Sequence, residues 1–414
     1  MSSHVAVVGA GPVGCVAAAT LAECGLRVTL FEAAPQLPRE LRASTFHPAT
    51  LELLHRFGIV DELIARGLVA DRFAYRDRRL GQVASFNMDL VADVTRYPFR
   101  LQCEQYKLCE VLLDRFATND LIDVRFGSPV AAAIDGTDHA QLHLEGGTLQ
   151  TFDAIVAADG ASSAVRKSLG LSFDGMTYED RYVIVSTPFE LADHLPDLAY
   201  VNYISDPDEW MVLLRTVDLW RALFPVPGGE SDAEALSDDA CERRLQAVVA
   251  RSGRYEIAHR TIYHVHQRVT DMFRIGRVVL AGDAAHINNP LGGMGMNGGV
   301  HDAVPLGAGV AGVIDGTVSD EHLDHFADMR RRLAIEYVKR HTHQNAVSLS
   351  AADPDVRQQA LDATVTRAED PTEARAFVLQ ASMLAALSTM RHELTEVDFW
   401  PDHGNLATQV PTAR

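Results

Sequence analysis

No charged residue interrupts the chain between Val5 and Ala22. A run of that size near a chain start has the length of a membrane span or a signal-peptide core. Gly9, Gly11, Pro12 and Gly14 break it where a span needs continuous helix, and no basic segment precedes it. The pattern instead predicts a buried strand at His4–Val8, a tight turn, and an alanine-rich helix over Pro12–Cys24. A second β-type run follows at Arg27–Glu32, so strand, glycine turn, helix and strand succeed one another as a βαβ unit requires.

Further along, Leu51, Leu54 and Phe57 share one stripe of a helix over Pro48–Phe57, and Leu108, Leu112 and Phe116 one stripe of a helix over Gln105–Phe116. Asp153–Ala158 reads as a strand entering a turn at Asp159-Gly160. From about 180 to 270 the pattern changes to β-rich runs: Tyr182–Ser186, Tyr200–Ile204, Met211–Leu214, Arg221–Val226 and Ile257–Val265, with a helix at Asp238–Arg251. They predict a mostly antiparallel sheet inserted as a second domain. Arg277–Ala281 returns to a parallel-type buried strand, followed by a glycine-rich loop over Gly282–Asn297 and a helix of small residues. Long helices are predicted at Glu321–Asn345 and Glu373–Met390, with no internal repeat.

The composition, 47% hydrophobic and 22% charged over 414 residues, fits a globular chain and excludes disorder, collagen or a coiled coil as a description of the whole. A formal charge of −19 disfavours nucleic acid and anionic membranes as partners. Five cysteines without a CxxC pair argue against a disulfide framework and a thiolate zinc site, and suit a soluble cytoplasmic protein. Histidines are numerous, yet none forms an HExxH motif. His264 and His266 alternate on a strand, whereas His341 and His343 diverge around a helix, so no metal site is expected.

Three motifs carry chemistry. The first is Gly9-Ala10-Gly11-Pro12-Val13-Gly14, between strand and helix, with Glu32 ending the next strand eighteen residues after Gly14. The glycines permit a tight turn, a close approach of pyrophosphate and close helix packing, and an acid at the strand end suits ribose hydroxyls. The second is Asp159-Gly160-Ala161-Ser162-Ser163-Ala164-Val165-Arg166. The third is Gly282-Asp283-Ala284-Ala285-His286, continued by Pro290-Leu291-Gly292-Gly293-Met294-Gly295-Met296-Asn297. Asp283 stands where a strand ends and can accept hydrogen bonds from a polyol, while the glycines expose backbone N–H groups to a planar ring.

Together, in this order, the three motifs resemble the class A flavoprotein monooxygenases, the p-hydroxybenzoate hydroxylase family, over roughly residues 4 to 340. The resemblance implies an α/β Rossmann-like FAD-binding domain with an inserted antiparallel-sheet substrate domain and C-terminal helices. The implied boundaries are 1–175 and 271–340 for the FAD domain, 176–270 for the substrate domain and 341–414 for the helical segment. It implies FAD as cofactor and NADH or NADPH as transient electron donor, with hydroxylation of a small aromatic or N-heteroaromatic substrate by O2 through a C4a-hydroperoxyflavin. On the family pattern, Gly9, Gly11, Pro12, Val13, Gly14 and Glu32 hold the ADP half of FAD. Arg42 stands near the pyrophosphate, Gln105 contacts the ribityl chain with Gln102 as a substitute, and Asp159 and Arg166 serve FAD and NAD(P)H. Asp283 binds the ribityl chain, and Pro290, Gly293, Gly295, Met296 and Asn297 wrap the isoalloxazine.

The flavin carries the hard chemistry in such enzymes, so no catalytic nucleophile is expected. A protein base could deprotonate the substrate hydroxyl. The candidates are His47, Tyr203 (with Tyr200 beside it) and His286, the last a better structural residue. Arg215, six residues before Arg221, is a candidate for a substrate carboxylate, with Arg221 structural. Trp210, Met211 and Leu213 suit the core better than a pocket.

Three rival readings remain on the same scaffold. A halogenase needs a lysine between flavin and substrate, but Lys107, Lys167 and Lys339 are the only lysines and no GWxWxIP-like run occurs. A reductase of lipid double bonds is disfavoured by the acidic chain. A binding protein that has lost FAD is opposed by the intact Glu32 and Asp283. Segment 340–414 has no catalytic signature, leaving it to pack on the FAD domain or serve a homodimer contact.

Overall fold

A computed structural model describes residues 3–337 and 354–394 of the chain. Lys339, His341 and His343, and the expected helix beyond Tyr337, lie outside the described residues.

The first sheet has six strands in the order Arg274–Ile275, Val278–Leu280, Ala154–Ala157, His4–Val8, Arg27–Phe31, Ile122–Arg125. All neighbours are parallel except the first pair. The central strands are continuous apolar runs because both faces of such a sheet are covered. One cover is the helix Pro12–Glu23, which packs against the long helix Met294–Asp315. Their contact explains the small residues of the second helix. A Cβ on Gly299 would fall 2.4 Å from Val13 Cγ2, and one on Gly307 3.3 Å from Thr20 Cγ2.

The second sheet has eight strands: His286–Ile287, His259–Thr270, Phe173–Thr187, Trp220–Val226, Met211–Arg215, Val201–Ser205, Arg72–Asp77 and Gly81–Asn87. It is wider than the span 176–270. Its last two strands come from much earlier in the chain, and Val201–Ser205 pairs with Arg72–Asp77 in parallel. The early strands were hidden in the sequence by their charges. Arg76 and Asp77 are buried, but Arg76 donates to the carbonyls of Pro196 and Asp197, and Asp77 accepts from the amides of Arg79 and Leu80.

Strand alternation divides this sheet cleanly. Val183, Val185, Met211, Leu213, Trp220 and Phe224 face a separate core closed by the helix Asp238–Val248. Ile184, Val201, Tyr203, Val212, Leu214 and Leu223 face the opposite way, into a cavity. Trp210 is also buried, edge-on to Tyr182.

The helices Pro354–Glu369 and Pro371–Ala381 lie against the early-strand edge of this sheet and the Met88–Val91 turn that follows it, while Leu384–Glu393 packs on Pro371–Ala381 and on the helix Pro48–His55. The helix anticipated at Glu373–Met390 is split in two at Ser382–Met383, where Met383 adopts φ +62°. Phe377 packs 4.7 Å from Phe86 and 6.0 Å from Phe73 between ring centres. Among the described residues no helix is long and apolar enough to cross a membrane, and no cluster of side chains could hold a metal ion.

Candidate active site

A cavity of about 860 Å³ opens between the two sheets. One side is built by the three motifs and the segment Glu40–Thr45, the other by one face of the eight-stranded sheet, apolar at Ile184, Val201, Val212, Leu214 and Leu223 and polar along His259, Thr261, Tyr263, His264 and His266.

The glycine turn is forced by contacts. Gly9 has φ +97°, and a Cβ there would lie 2.4 Å from the Ala158 carbonyl; on Gly14 it would lie 1.8 Å from the Gly9 carbonyl. Gly11 differs, since a Cβ there meets nothing and would project into open space. Gly11, Pro12 and Val13 line the cavity, and their helix carries no acid in its first turn. Its free N–H groups and positive dipole end therefore suit a pyrophosphate. The helix that starts at Met294 likewise has its N-terminus at the cavity without an acid in the first turn. Glu32 does not line the cavity. Its two carboxylate oxygens accept from the amides of Ala10 (2.8 Å) and Ala34 (2.9 Å), which ties the turn to the second strand.

Gln105, Arg42, Asp283, Pro290, Gly293, Gly295 and Met296 all line the cavity. Arg42 pairs with Glu40 at 2.5 Å. The Asp283 carboxylate opens onto the cavity but is surrounded by protein on its other sides. Burial pushes its pKa up, against the opposing pull of His286 and Arg42. Gln102 is spent inside the fold, accepting from Thr45 Oγ1 at 2.9 Å, which leaves Gln105 as the glutamine at the cavity.

The second motif stands behind the cavity wall. Asp159 accepts from Ser163 Oγ at 2.5 Å and the Val165 amide at 3.2 Å, organising the turn before the short helix Ala164–Ser168. Arg166 donates to the carbonyls of Ala161 and Ala284, both at 2.8 Å, and so joins the second motif to the third. Of this motif, Gly160 lines the cavity.

His47 and Asn297 are fully buried and work together as a clasp. Asn297 donates to the carbonyls of Thr45 (2.8 Å) and Gly293 (2.6 Å) and accepts from the His47 amide (3.0 Å). His47 Nε2 lies 2.9 Å from the Gly292 carbonyl, so that nitrogen carries the proton. The clasp holds the Pro290–Gly293 loop against Thr45–Phe46. His286 is buried too, with Nε2 2.7 Å from Asp302, which also accepts from the Gly282 amide and from Arg330.

On the substrate-sheet side, Tyr203 lines the cavity while Tyr200 is on the surface. Arg215 points to the far face, ion-paired with Glu190 at 3.1 Å and lying over Trp220. Val212 and Leu214 face the cavity from its strand instead. Arg221 reaches across to the segment over the motif side. It donates to the carbonyls of Leu41 (2.6 Å) and Arg42 (2.7 Å) and to Ser44 Oγ (2.9 Å).

Comparison with known proteins agrees with this geometry. The family model for an FAD binding domain matches residues 2–341. The para-nitrophenol 4-monooxygenase of Pseudomonas sp. (strain WBC-3) is 33% identical over 362 residues, 85% of this chain and 89% of the relative. The chain belongs to the class A FAD-dependent aromatic monooxygenases. The 6-hydroxy-3-succinoylpyridine 3-monooxygenase HspB of Pseudomonas putida (strain DSM 28022 / S16) is 32% identical, covering 86% of this chain and 91% of that one. The crystal structure of p-nitrophenol 4-monooxygenase PnpA from Pseudomonas putida DLL-E4 superposes with a TM-score of 0.86 at 29% identity, over 92% of this chain and 98% of that one. These relatives lend no support to the halogenase, reductase or binding-protein readings.

Two groups at this site carry little signal in the sequence. Arg100 is buried and lines the cavity; its signal was a lone arginine in the otherwise uncharged run Tyr97–Cys103. The Asp302–Arg330 ion pair, with His301 beside it, forms a buried polar cluster beneath the third motif. Asp302 likewise stood alone among small and apolar residues.

Proposed function

We propose that this monooxygenase hydroxylates a small phenol or hydroxylated N-heteroaromatic ring, with NADH or NADPH as electron donor. One observation carries the reading: a single cavity has the flavin-motif loop on one side and the apolar wall Ile184, Val201, Val212, Leu214 and Leu223, with Tyr203, on the other. Such a pocket suits a flat, largely apolar ring with few polar groups. The relatives named for nitrophenol and hydroxypyridine oxidation support this class.

When bound, FAD supplies the redox chemistry, accepting electrons from the nicotinamide donor and activating O2. The chain supplies position and dryness. The Gly9–Gly14 turn, with Pro12 and Val13 opening its helix, suits the pyrophosphate. Asp283 and Gln105 suit the ribityl hydroxyls, and Pro290, Gly293, Gly295 and Met296 suit the ring. Glu32, Asp159, Arg166, Asn297 and His47 support these groups from behind. Arg42, on the segment tethered by Arg221, stands at the cavity where a nicotinamide would approach. The apolar wall excludes water from the reacting atoms. Tyr203 is a hydroxyl on the apolar wall placed to exchange a proton with a substrate oxygen; His47 Nε2 is committed to Gly292, and Tyr263, also at the cavity, faces Arg221. Five free thiols, four of them buried, suit a reducing cytoplasm.

The test is consumption of NADH and NADPH against a panel of phenols and hydroxypyridines, with product masses recorded. A compound that accelerates consumption and gains one oxygen atom supports the reading. Acceleration by no aromatic compound on the panel overturns it.

A further inference from the structure

Arg100 is 3% exposed, on the strand Arg100–Gln102. Its guanidinium lies 4.1 Å over the Phe73 ring, and Nη1 donates to the Tyr203 hydroxyl at 3.3 Å. Nη2 donates to the Ala381 carbonyl at 3.4 Å, and Nε is buried with no hydrogen-bond partner. No carboxylate among the described residues is ion-paired with it; the buried Arg76 and Arg166 are likewise held by carbonyls, at 2.8 to 3.2 Å, whereas other buried arginines have a carboxylate. Arg244 reaches Glu209 and Glu230, and Arg330 reaches Asp302. Arg221, also without a carboxylate, is held by three oxygens at 2.6 to 2.9 Å. Arg221 also lines the cavity with its Nε unpartnered, but among these described arginines only Arg100 has no hydrogen bond shorter than 3.3 Å, its two lying at 3.3 and 3.4 Å. A buried cation with idle donors is unfavourable until an anion meets it.

Resting on the hydroxylase reading above, we propose that Arg100 and the Tyr203 hydroxyl form the substrate's anion anchor. The enzyme then takes its phenol or hydroxyheterocycle with the ring oxygen already ionised. A guanidinium offers paired N–H donors to such an oxygen. Beside the anchor the wall is apolar at Ile184, Val201, Val212, Leu214 and Leu223, with His259, Thr261, Tyr263 and His266 further along the cavity, and Arg215 faces away, so the anchor is placed to meet one acidic oxygen on a ring seated against the apolar strip. The C-terminal helices belong to the anchor. Ala381 holds Nη2, and Phe377 packs on Phe73 beneath the guanidinium. The titratable neighbours are Tyr203 and Tyr75, stacked at 5.1 Å, and Arg367 lies over Phe377 beyond them. Burial holds the Tyr75 hydroxyl protonated, Tyr203 adding to that effect and Arg100 and Arg367 opposing it.

The test is a titration of the FAD-loaded enzyme with 4-nitrophenol and with nitrobenzene, followed by difference spectra at a pH where free 4-nitrophenol is mainly neutral. The expected result is a nitrophenolate band on binding and at least tenfold tighter binding than nitrobenzene. R100Q should lose the band and the preference, R100K should recover part of both, and Y203F should weaken the preference a fewfold. The comparison of the two ligands on the unmodified enzyme stands even if R100Q does not fold. Binding of 4-nitrophenol without ionisation, equal binding of both ligands, binding of neither, or an unchanged band in folded R100Q each overturns the anchor. Oxygenation of any panel phenol would leave the hydroxylase reading standing in all of those cases.

Discussion

His47 and Glu32 show how a polar side chain beside a cofactor site can act through the backbone. His47 looked like a base in the sequence because it follows Arg42 closely, but its ring is spent on the Gly292 carbonyl. Replacing it with Leu, which has no donor, should weaken FAD retention by roughly fivefold, as loss of one hydrogen bond of about 1 kcal/mol implies. The pH profile of turnover should keep its shape. FAD content after gel filtration and a pH–rate series check this, and loss of one limb with FAD retained would restore the base role. Glu32→Ala removes the acceptor of two backbone amides. With charge-assisted bonds at roughly 1.5–3 kcal/mol each, FAD affinity should fall at least tenfold, measured by flavin fluorescence on titration. The glycine motif was legible because its spacing is local. Arg100 was not, because its partners Tyr203 and Ala381 are distant in sequence.

Among the elements, two of the contacts that join the substrate sheet to its surroundings each yield a prediction. Arg221 ties the strand Trp220–Val226 to the segment Leu41–Ser44. Arg221→Met should slow hydride transfer from NAD(P)H to FAD, because Arg42 would lose its fixed backbone, and Arg221→Lys should rescue little, since one ammonium cannot replace the guanidinium fork. Stopped-flow flavin reduction reads this; an unchanged rate in a folded variant would refute it. Phe377 packs on Phe73, the ring under the Arg100 guanidinium, and Phe377→Ala should raise KM for the phenol while leaving FAD affinity intact. Equal loss of both would mean general destabilisation of about 2–4 kcal/mol rather than a local effect. Most strands of the 180–270 region were legible from β-branched and aromatic runs. The strands Arg72–Asp77 and Gly81–Asn87 were not, because charges satisfied inside the fold look like surface in the sequence.

For the whole molecule, the buried cluster His301–Asp302–Arg330 contributes to the loss of stability in acid. Burial holds the His301 pKa down to about 3, aided by Arg330 and Arg391 and opposed by Asp302. Burial would raise Asp302, but His286 and Arg330 outweigh it and bring it to about 2. The unfolded chain therefore binds more protons than the folded one for both groups. For His301, stability is complete above about pH 6.5 and is lost as pH falls toward 3; for Asp302 the loss begins near pH 4. At pH 5 the His301 contribution lost is on the order of 2 kcal/mol. His301→Gln should flatten the decline in Tm between pH 6.5 and 4, and an equally steep decline would exclude His301 as its source.

The parallel pairing of Val201–Ser205 with Arg72–Asp77 also bears on how the chain reaches its native state. The eight-stranded sheet cannot close until segments more than a hundred residues apart have met, and the six-stranded sheet must likewise wait for Val278–Leu280. Loop closure of that span makes folding slow and global rather than domain by domain. A fragment cut at 176–270 would carry an unpaired edge at Val201–Ser205, open to pairing with other chains. Recombination that exchanges substrate domains must therefore carry residues 72–87 along with them, so the heritable unit of specificity in this fold is discontinuous.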